Sequence, residues 1–164
     1  MYTYVIIDDE PLIRRGTKKK LEPLSHLLTC CGEASDGREG LELVRQLKPD
    51  IVILDMQMPV MDGTELLPAL SEEFPSTALI VISGFQNFDY MKQAISSKVI
   101  DYILKPFSKD EIQQTVLKTI DSLKDKEAED HHLTSMVQEK EEAFYSLDLK
   151  LLTDFLLGYT DTAH

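Results

Sequence analysis

Asp8 and Asp9, Asp55, Ser83 and Lys105 each close a short apolar run, although they are spread from position 8 to position 105. Three carboxylates gathered in one place repel each other, and a hard divalent cation is the usual relief. Mg2+ takes one or two carboxylates and keeps other positions for water and phosphate oxygens. A carboxylate is also a nucleophile toward phosphorus, giving an aspartyl phosphate. A hydroxyl and an ammonium can then hold the transferred oxygens while the cation neutralises developing charge. These residue types suit metal-dependent phosphoryl transfer to one aspartate, and by themselves they do not say which of the three.

The elements that must bring them together alternate along the chain. Tyr4–Ile7 reads as a strand, and Pro11 suits the first turn of a helix running to about Leu21. Leu27–Ala34 is a second strand, and Asp36-Gly37 opens a helix with Leu41, Val44 and Leu47 on one face, closed by Lys48-Pro49. Ile51–Leu54 leads to Asp55, and the loop Met56–Gly63 to a helix near Thr64–Glu73. Ala78–Ile82 ends at Ser83-Gly84, with a helix from about Phe88 to Ser97. Val99–Leu104 ends at Lys105-Pro106, and Ser108 with Glu111 forms a capping box for the last helix. Strands apolar on both faces and separated by helices imply a parallel sheet covered on both sides. Right-handed crossovers make a doubly wound, flavodoxin-like (CheY-like) α/β sheet of order 2-1-3-4-5 the economical topology. Ligands of such sheets bind outside the carboxyl ends of the strands, which is where the five polar residues fall.

The chain has 164 residues and a net charge of −12, which disfavours an electrostatic grip on nucleic acid or an anionic membrane by these residues. Residues 1–121 and residues 122–164 each carry a net −6, so the tail is far more acidic per residue. The helical stripe Ile112, Val116, Ile120, Leu123 fails over 124–132, whose only apolar residue is Ala128. It resumes at Leu133, Val137, Phe144, Leu147 and Leu151, a spacing that suits a helix seam although Lys140 interrupts it. No apolar run approaches the ~18 residues that span a membrane. No signal peptide is visible, and the cytoplasm is the expected location.

Four motifs carry a resemblance: Val-Ile-Ile-Asp-Asp-Glu-Pro (5–11), Ile-Leu-Asp-Met-Gln-Met-Pro-Val-Met-Asp-Gly (53–63), Val-Ile-Ser-Gly (81–84) and Asp-Tyr-Ile-Leu-Lys-Pro-Phe (101–107). Together and in this order they resemble the receiver domain of two-component response regulators. The resemblance implies that Asp55 is the phosphoacceptor, served by a sensor histidine kinase. It implies that Asp8 and Asp9, with Asp55 and the backbone carbonyl of Gln57, hold Mg2+. Ser83 is then the switch hydroxyl, Tyr102 the switch aromatic, and Lys105 the partner of the phosphoryl group. The family often has a cis peptide before the residue matching Pro106. Gln57 and Phe85 fall where the family tunes phosphoryl lifetime. Lys98 stands where the family commonly has glycine, so the helix before the fifth strand needs another ending.

The run 85–95, the acidic linker and Leu151–Gly158 resemble the YesN-type regulators, in which a receiver and helical linker precede an AraC-type DNA-binding domain. This implies a receiver domain over 1–122 and an acidic helical linker over 123–164, truncated before a DNA-binding output domain. DNA is then a partner of the full-length parent and not of this fragment. A homodimer through the fourth helix, fifth strand and fifth helix, or through the C-terminal helix, is a further expectation.

Two other readings compete with a phosphorylation switch. A haloacid-dehalogenase-type phosphatase also uses an Asp nucleophile and Mg2+, but it wants Asp-x-Asp where this chain has Asp55-Met56-Gln57, and a cap insertion. A receiver fold held in one state, acting only as an interaction module, leaves the complete acid, hydroxyl and lysine set without a use. An enzyme with an external substrate is not expected, only a protein that catalyses its own phosphorylation and dephosphorylation. Plainer readings cover the remaining features. Cys30 and Cys31 are small hydrophobes of a buried strand, and Met56, Met58 and Met61 are loop packing. His131-His132 is a solvated face, and Lys18–Lys20 is too short a basic run for nucleic acid.

Overall fold

A computed structural model describes residues 1–84 and 86–160, and for Asp154 and 157–160 only the backbone. The expected contribution of Phe85, and that of the Leu157-Gly158 side chains, therefore lie outside the described residues. The elements are β1 (Tyr2–Ile7), α1 (Pro11–Leu21), β2 (Leu28–Ala34), α2 (Gly37–Leu47), β3 (Ile51–Asp55), α3 (Gly63–Glu73), β4 (Ala78–Ser83), α4 (Phe88–Ser96), β5 (Asp101–Leu104) and α5 (Lys109–Thr160). The chain divides into two compact units, Met1–Asp121 and a second that begins at Ser122.

In the first unit the strands form one parallel sheet of order β2-β1-β3-β4-β5, the CheY-like arrangement. Val5, Ile7, Val52, Leu54, Leu79 and Val81 pack on one face with Leu41 and Val44 of α2, Leu66, Leu67 and Leu70 of α3, and Ala94 of α4. Alternation sends their neighbours Tyr4, Ile6, Ile51, Ile53, Ile80 and Ile82 to the other face. These are also buried, as are Leu21 of α1 and Ile112, Val116 and Ile120 of α5. Leu47, at the last turn of α2, lies over Gly32 of β2 but is 42% exposed, whereas Val44 is wholly buried.

The helix starts follow the capping residues. Asp36, Asp62 and Asn87 accept from backbone N–H groups of the first turns of α2, α3 and α4. Ser108 and Glu111 form the reciprocal capping box at 3.1 and 2.9 Å. Lys98 takes a left-handed φ of 55°, so the conformation a glycine would supply is present with a lysine in it. Cys30 and Cys31 are free thiols but only half-buried, which corrects the expected buried strand. Their strand lies at the sheet edge, and the pairing of Tyr4 with Cys30 and Val5 with Gly32 leaves Cys31 as the extra residue of a bulge.

The second unit is helical through the acidic stretch 124–132, where the apolar stripe lapses but the backbone does not. Lys, Glu and Ala are strong helix formers and hold that segment without a buried face. His131 and His132 are exposed. Among the described residues, no helix is long and apolar enough to cross a membrane.

Candidate functional site

The carboxyl ends of β1, β3 and β5 meet at one edge of the sheet, and each delivers its last polar residue there. Asp8 and Asp55 are 2% and 5% exposed, whereas Asp9 and Glu10 are exposed at the rim. Lys105 Nζ lies 2.9 Å from Asp8 Oδ2, 3.1 Å from Glu10 Oε1 and 3.3 Å from Asp55 Oδ2. A cleft of about 390 Å3 opens above them, lined by Asp9, Glu10, Asp55, Gln57, Met58, Gly84 and Lys105.

Burial pushes the Asp55 carboxyl up to about 6; the Lys105 charge pulls against this, the neighbouring Asp8 adds to it, and the Gln57 backbone N–H opposes it. At Lys105 burial works against the charge, but the Asp8 carboxylate, then Asp55 and Glu10, outweigh it and raise the ammonium above the ordinary lysine range. Asp8 is further fixed by accepting from the Glu10 N–H at 2.9 Å, while its backbone carbonyl accepts from Arg14 Nη1.

Carboxylate oxygens of Asp8, Asp9, Glu10 and Asp55 all lie within 4.8 Å of one another. A set of hard oxygen donors with an open cleft beside it fits Mg2+, which binds few carboxylates and retains waters.

The loop after β3 shapes this edge. Met56 is wholly buried, and Gly63 donates its N–H to the Met56 carbonyl at 2.8 Å. A Cβ at Gly63 would stand 2.7 Å from Met56 Cα, so only glycine admits this approach. Val60 has φ 69° and Met61 N–H donates to Pro59 O at 2.8 Å, a γ-turn with a β-branched residue at its centre. Gly37 at the start of α2 donates to Met61 O at 3.0 Å and pins the turn from outside.

Not every expected residue enters the cleft. Ser83 is fully buried at the end of β4, where its carbonyl accepts from the Lys105 N–H at 2.8 Å, and its neighbour Gly84 lines the opening. Tyr102 is half-buried on β5, packs against the core and lines a different hollow, with Asp101, Gln114 and Lys118. The Lys105–Pro106 peptide is cis. Two participants escaped the sequence reading. Glu10, a third acid in the run before Pro11, binds Lys105. Tyr90, on the first turn of α4, accepts from Gln57 Nε2 at 3.2 Å, and no sequence signal marks it.

Residues 4–117 match the family described as the response regulator receiver domain. The chain belongs to that family. This receiver is similar to the transcriptional regulatory protein YesN of Bacillus subtilis (strain 168), at 38% identity over 76% of this chain and 34% of that protein. It is 37% identical to the transcriptional regulatory protein HptR of Staphylococcus aureus (strain NCTC 8325 / PS 47), over 65% of this chain and 41% of that one. The solved receiver domain of AraT, a response regulator from Geobacillus stearothermophilus, superposes with a TM-score of 0.72 at 33% identity, covering 77% of this chain and 98% of that one. The receiver chain thus spans well under half the length of the curated relatives it matches.

Proposed function

We propose that this receiver accepts a phosphoryl group on Asp55 from a phosphohistidine of a partner sensor kinase and relays its presence to a C-terminal transcriptional output. The observation that carries the reading is the placement of Asp55. It is a buried carboxylate at the floor of an open cleft, faced by an ammonium at 3.3 Å and flanked by further carboxylates. An Asp55 oxygen forms a bond to phosphorus as the bond from phosphorus to the donor imidazole nitrogen breaks, and the imidazole keeps that electron pair. Lys105 exchanges its contact with the Asp55 carboxylate for one with a phosphoryl oxygen. Asp8, Asp9, Asp55 and the Gln57 carbonyl would hold Mg2+, which neutralises charge on the transferred group when bound.

Ser83, drawn toward the phosphoryl group, and Tyr102 behind it repack the surface of α4, β5 and α5, a bistable element biased by local charge. The protein promotes only its own phosphorylation and dephosphorylation, in the cytoplasm. DNA is contacted by the parent's output domain and not by these residues. Intact-mass spectrometry after incubation with acetyl phosphate and Mg2+ tests the reading. One added phosphoryl group is expected, absent in Asp55→Ala; addition that survives that substitution refutes it. Position 57 carries an amide, so the Asp-x-Asp of the phosphatase reading is missing here.

The exposed row Leu133, Val137, Phe144, Leu147 and Leu151 favours homodimerisation through the segment 123–164, which we read as the linker. The α4, β5 and α5 surface is the other candidate contact.

A further inference from the structure

Of the three lysines in the last turn of α1, Lys18 binds Glu33 of β2 at 2.6 Å, Lys19 is exposed, and Lys20 reaches the segment that follows Lys105. Lys20 Nζ donates to the Phe107 carbonyl at 2.8 Å and stands 4.2 Å from the centre of the Phe107 ring. The Lys20 carbonyl in turn accepts from Gln113 Nε2 at 2.7 Å. A cation within about 6 Å of an aromatic face is attracted to it, the more so where water is scarce. Phe107 is 7% exposed, so its carbonyl and ring are fixed targets. The loop from Lys105 to Phe107 is thus pinned at two points. The Lys105 N–H bonds the Ser83 carbonyl at 2.8 Å, and Lys20 grips the Phe107 carbonyl two residues on. Between these pins starts the side chain whose ammonium meets Asp8, Glu10 and Asp55. A lysine stem is long and flexible, so a backbone origin that wanders widens the range of places its head visits.

We infer that Lys20 is a positioning residue for Lys105: its grip on Phe107 fixes the loop from which Lys105 extends, and so keeps that ammonium beside Asp55, ready to take up a phosphoryl oxygen. This rests on the reading of Asp55 as phosphoacceptor. Lys20 touches none of the reacting atoms and acts only through residues 105–107. Methionine at position 20 keeps the length and the apolar stem but lacks both donor and charge. Arginine keeps donor and charge, and its guanidinium stacks on aromatic faces.

The test compares the full chain as wild type, Lys20→Met and Lys20→Arg, with two readouts. The first, in metal-free buffer, is the rate at which a limiting amine-reactive ester labels each lysine, followed by peptide mass spectrometry. Lys105 should label about three- to tenfold faster in Lys20→Met, the range expected for one lost hydrogen bond. Lys18, on the same helix, should keep its wild-type rate, which a general loosening of α1 would not allow. The second is uptake of a phosphoryl group from acetyl phosphate with Mg2+, which should slow by a similar factor in Lys20→Met. Lys20→Arg should restore both. Lys105 labelling that does not quicken, Lys18 labelling that quickens equally, uptake that does not slow, or a Lys20→Arg chain that behaves like Lys20→Met overturns the inference while leaving Asp55 in its role. Failure of the wild type to take a phosphoryl group on Asp55 overturns the underlying reading and this inference with it. Should Lys20→Met lower the unfolding midpoint, Gln113→Ala frees the same turn of α1 without removing the Phe107 contact. Lys105 labelling that quickens as much in that variant overturns the inference, and labelling at the wild-type rate supports it.

Discussion

Lys105 Nζ stands 3.3 Å from Asp55 Oδ2, fifty positions away in the chain and two strands away in the sheet. The same ammonium bonds Asp8 and Glu10, so one cation compensates three carboxylates, two of them buried. Replacing it with Lys105→Ala leaves those charges facing each other, and removing one partner of a buried ionic group costs about 3 kcal/mol. Urea unfolding in a chelator should show that loss. Added Mg2+ should recover more stability in the variant than in the wild type, because the competing ammonium is gone. Equal midpoints for the two proteins in chelator would count against the compensation.

The Asp55 carboxyl titrates at about 6 in the folded chain against an ordinary value of 3.8. A raised folded-state value means that folding favours the protonated form. This contribution to stability is fully present below pH ~4 and is lost as pH rises through about 6. In metal-free buffer Asp55→Asn should abolish that decline, leaving the variant about 2 kcal/mol more stable than the wild type at pH 7. Parallel pH profiles for the two proteins would place the titrating group elsewhere.

Val60 holds a left-handed φ of 69° on an exposed γ-turn, a conformation that strains a β-branched side chain. Val60→Gly should therefore raise stability by about 1 kcal/mol, the strain relieved exceeding glycine's added chain entropy. Gly37→Ala should act oppositely, since a Cβ there meets the Met61 carbonyl of the same turn. A loss of about 2 kcal/mol is expected. Thermal midpoints of both variants decide the matter, and a drop in Val60→Gly would refute the strain.

If the second unit is a dimerisation arm, its exposed Phe144 and Leu151 lie in the contact. Phe144→Glu with Leu151→Glu should bring the solution mass from that of two chains to that of one by light scattering. A wild-type chain that is already monomeric at tens of micromolar speaks against the arm.

The sheet and the residues at its edge were legible because a parallel strand advertises itself twice, by an unbroken β-branched run and by the polar residue that ends it. Asp8, Asp55, Ser83 and Lys105 all sit at such ends. Relations across the sheet were not. Tyr90 meets Gln57 only because β3 and β4 are adjacent and α4 begins beside the cleft, and neither residue's local sequence encodes that distance. Cys30 and Cys31 read as buried because their run is short and apolar, whereas their exposure follows from β2 being an edge. Leu47 kept the period of its helix and lies over Gly32 of the edge strand β2, where 42% of it stays exposed. Lys98 shows the converse: residue type argued against a left-handed turn, and the packing imposed one.

Helix α4 buries one side chain completely, the methyl group of Ala94, while Phe88 and Ile95 face solvent at 79% and 75% exposure. Burying a group of that size contributes on the order of 1 kcal/mol. The element nearest the cleft on the β4 side is therefore also among the cheapest to undock. A single charge-assisted hydrogen bond, about 1.5–3 kcal/mol, exceeds the share of Ala94 in that hold, to which Tyr90 adds a ring packed partly against the core. If Asp55 takes a phosphoryl group as proposed, one such bond is enough to bias the docking of this helix while the rest of the core stays intact. The amides of α4 should then be the first of the sheet-packed helices to exchange with deuterium.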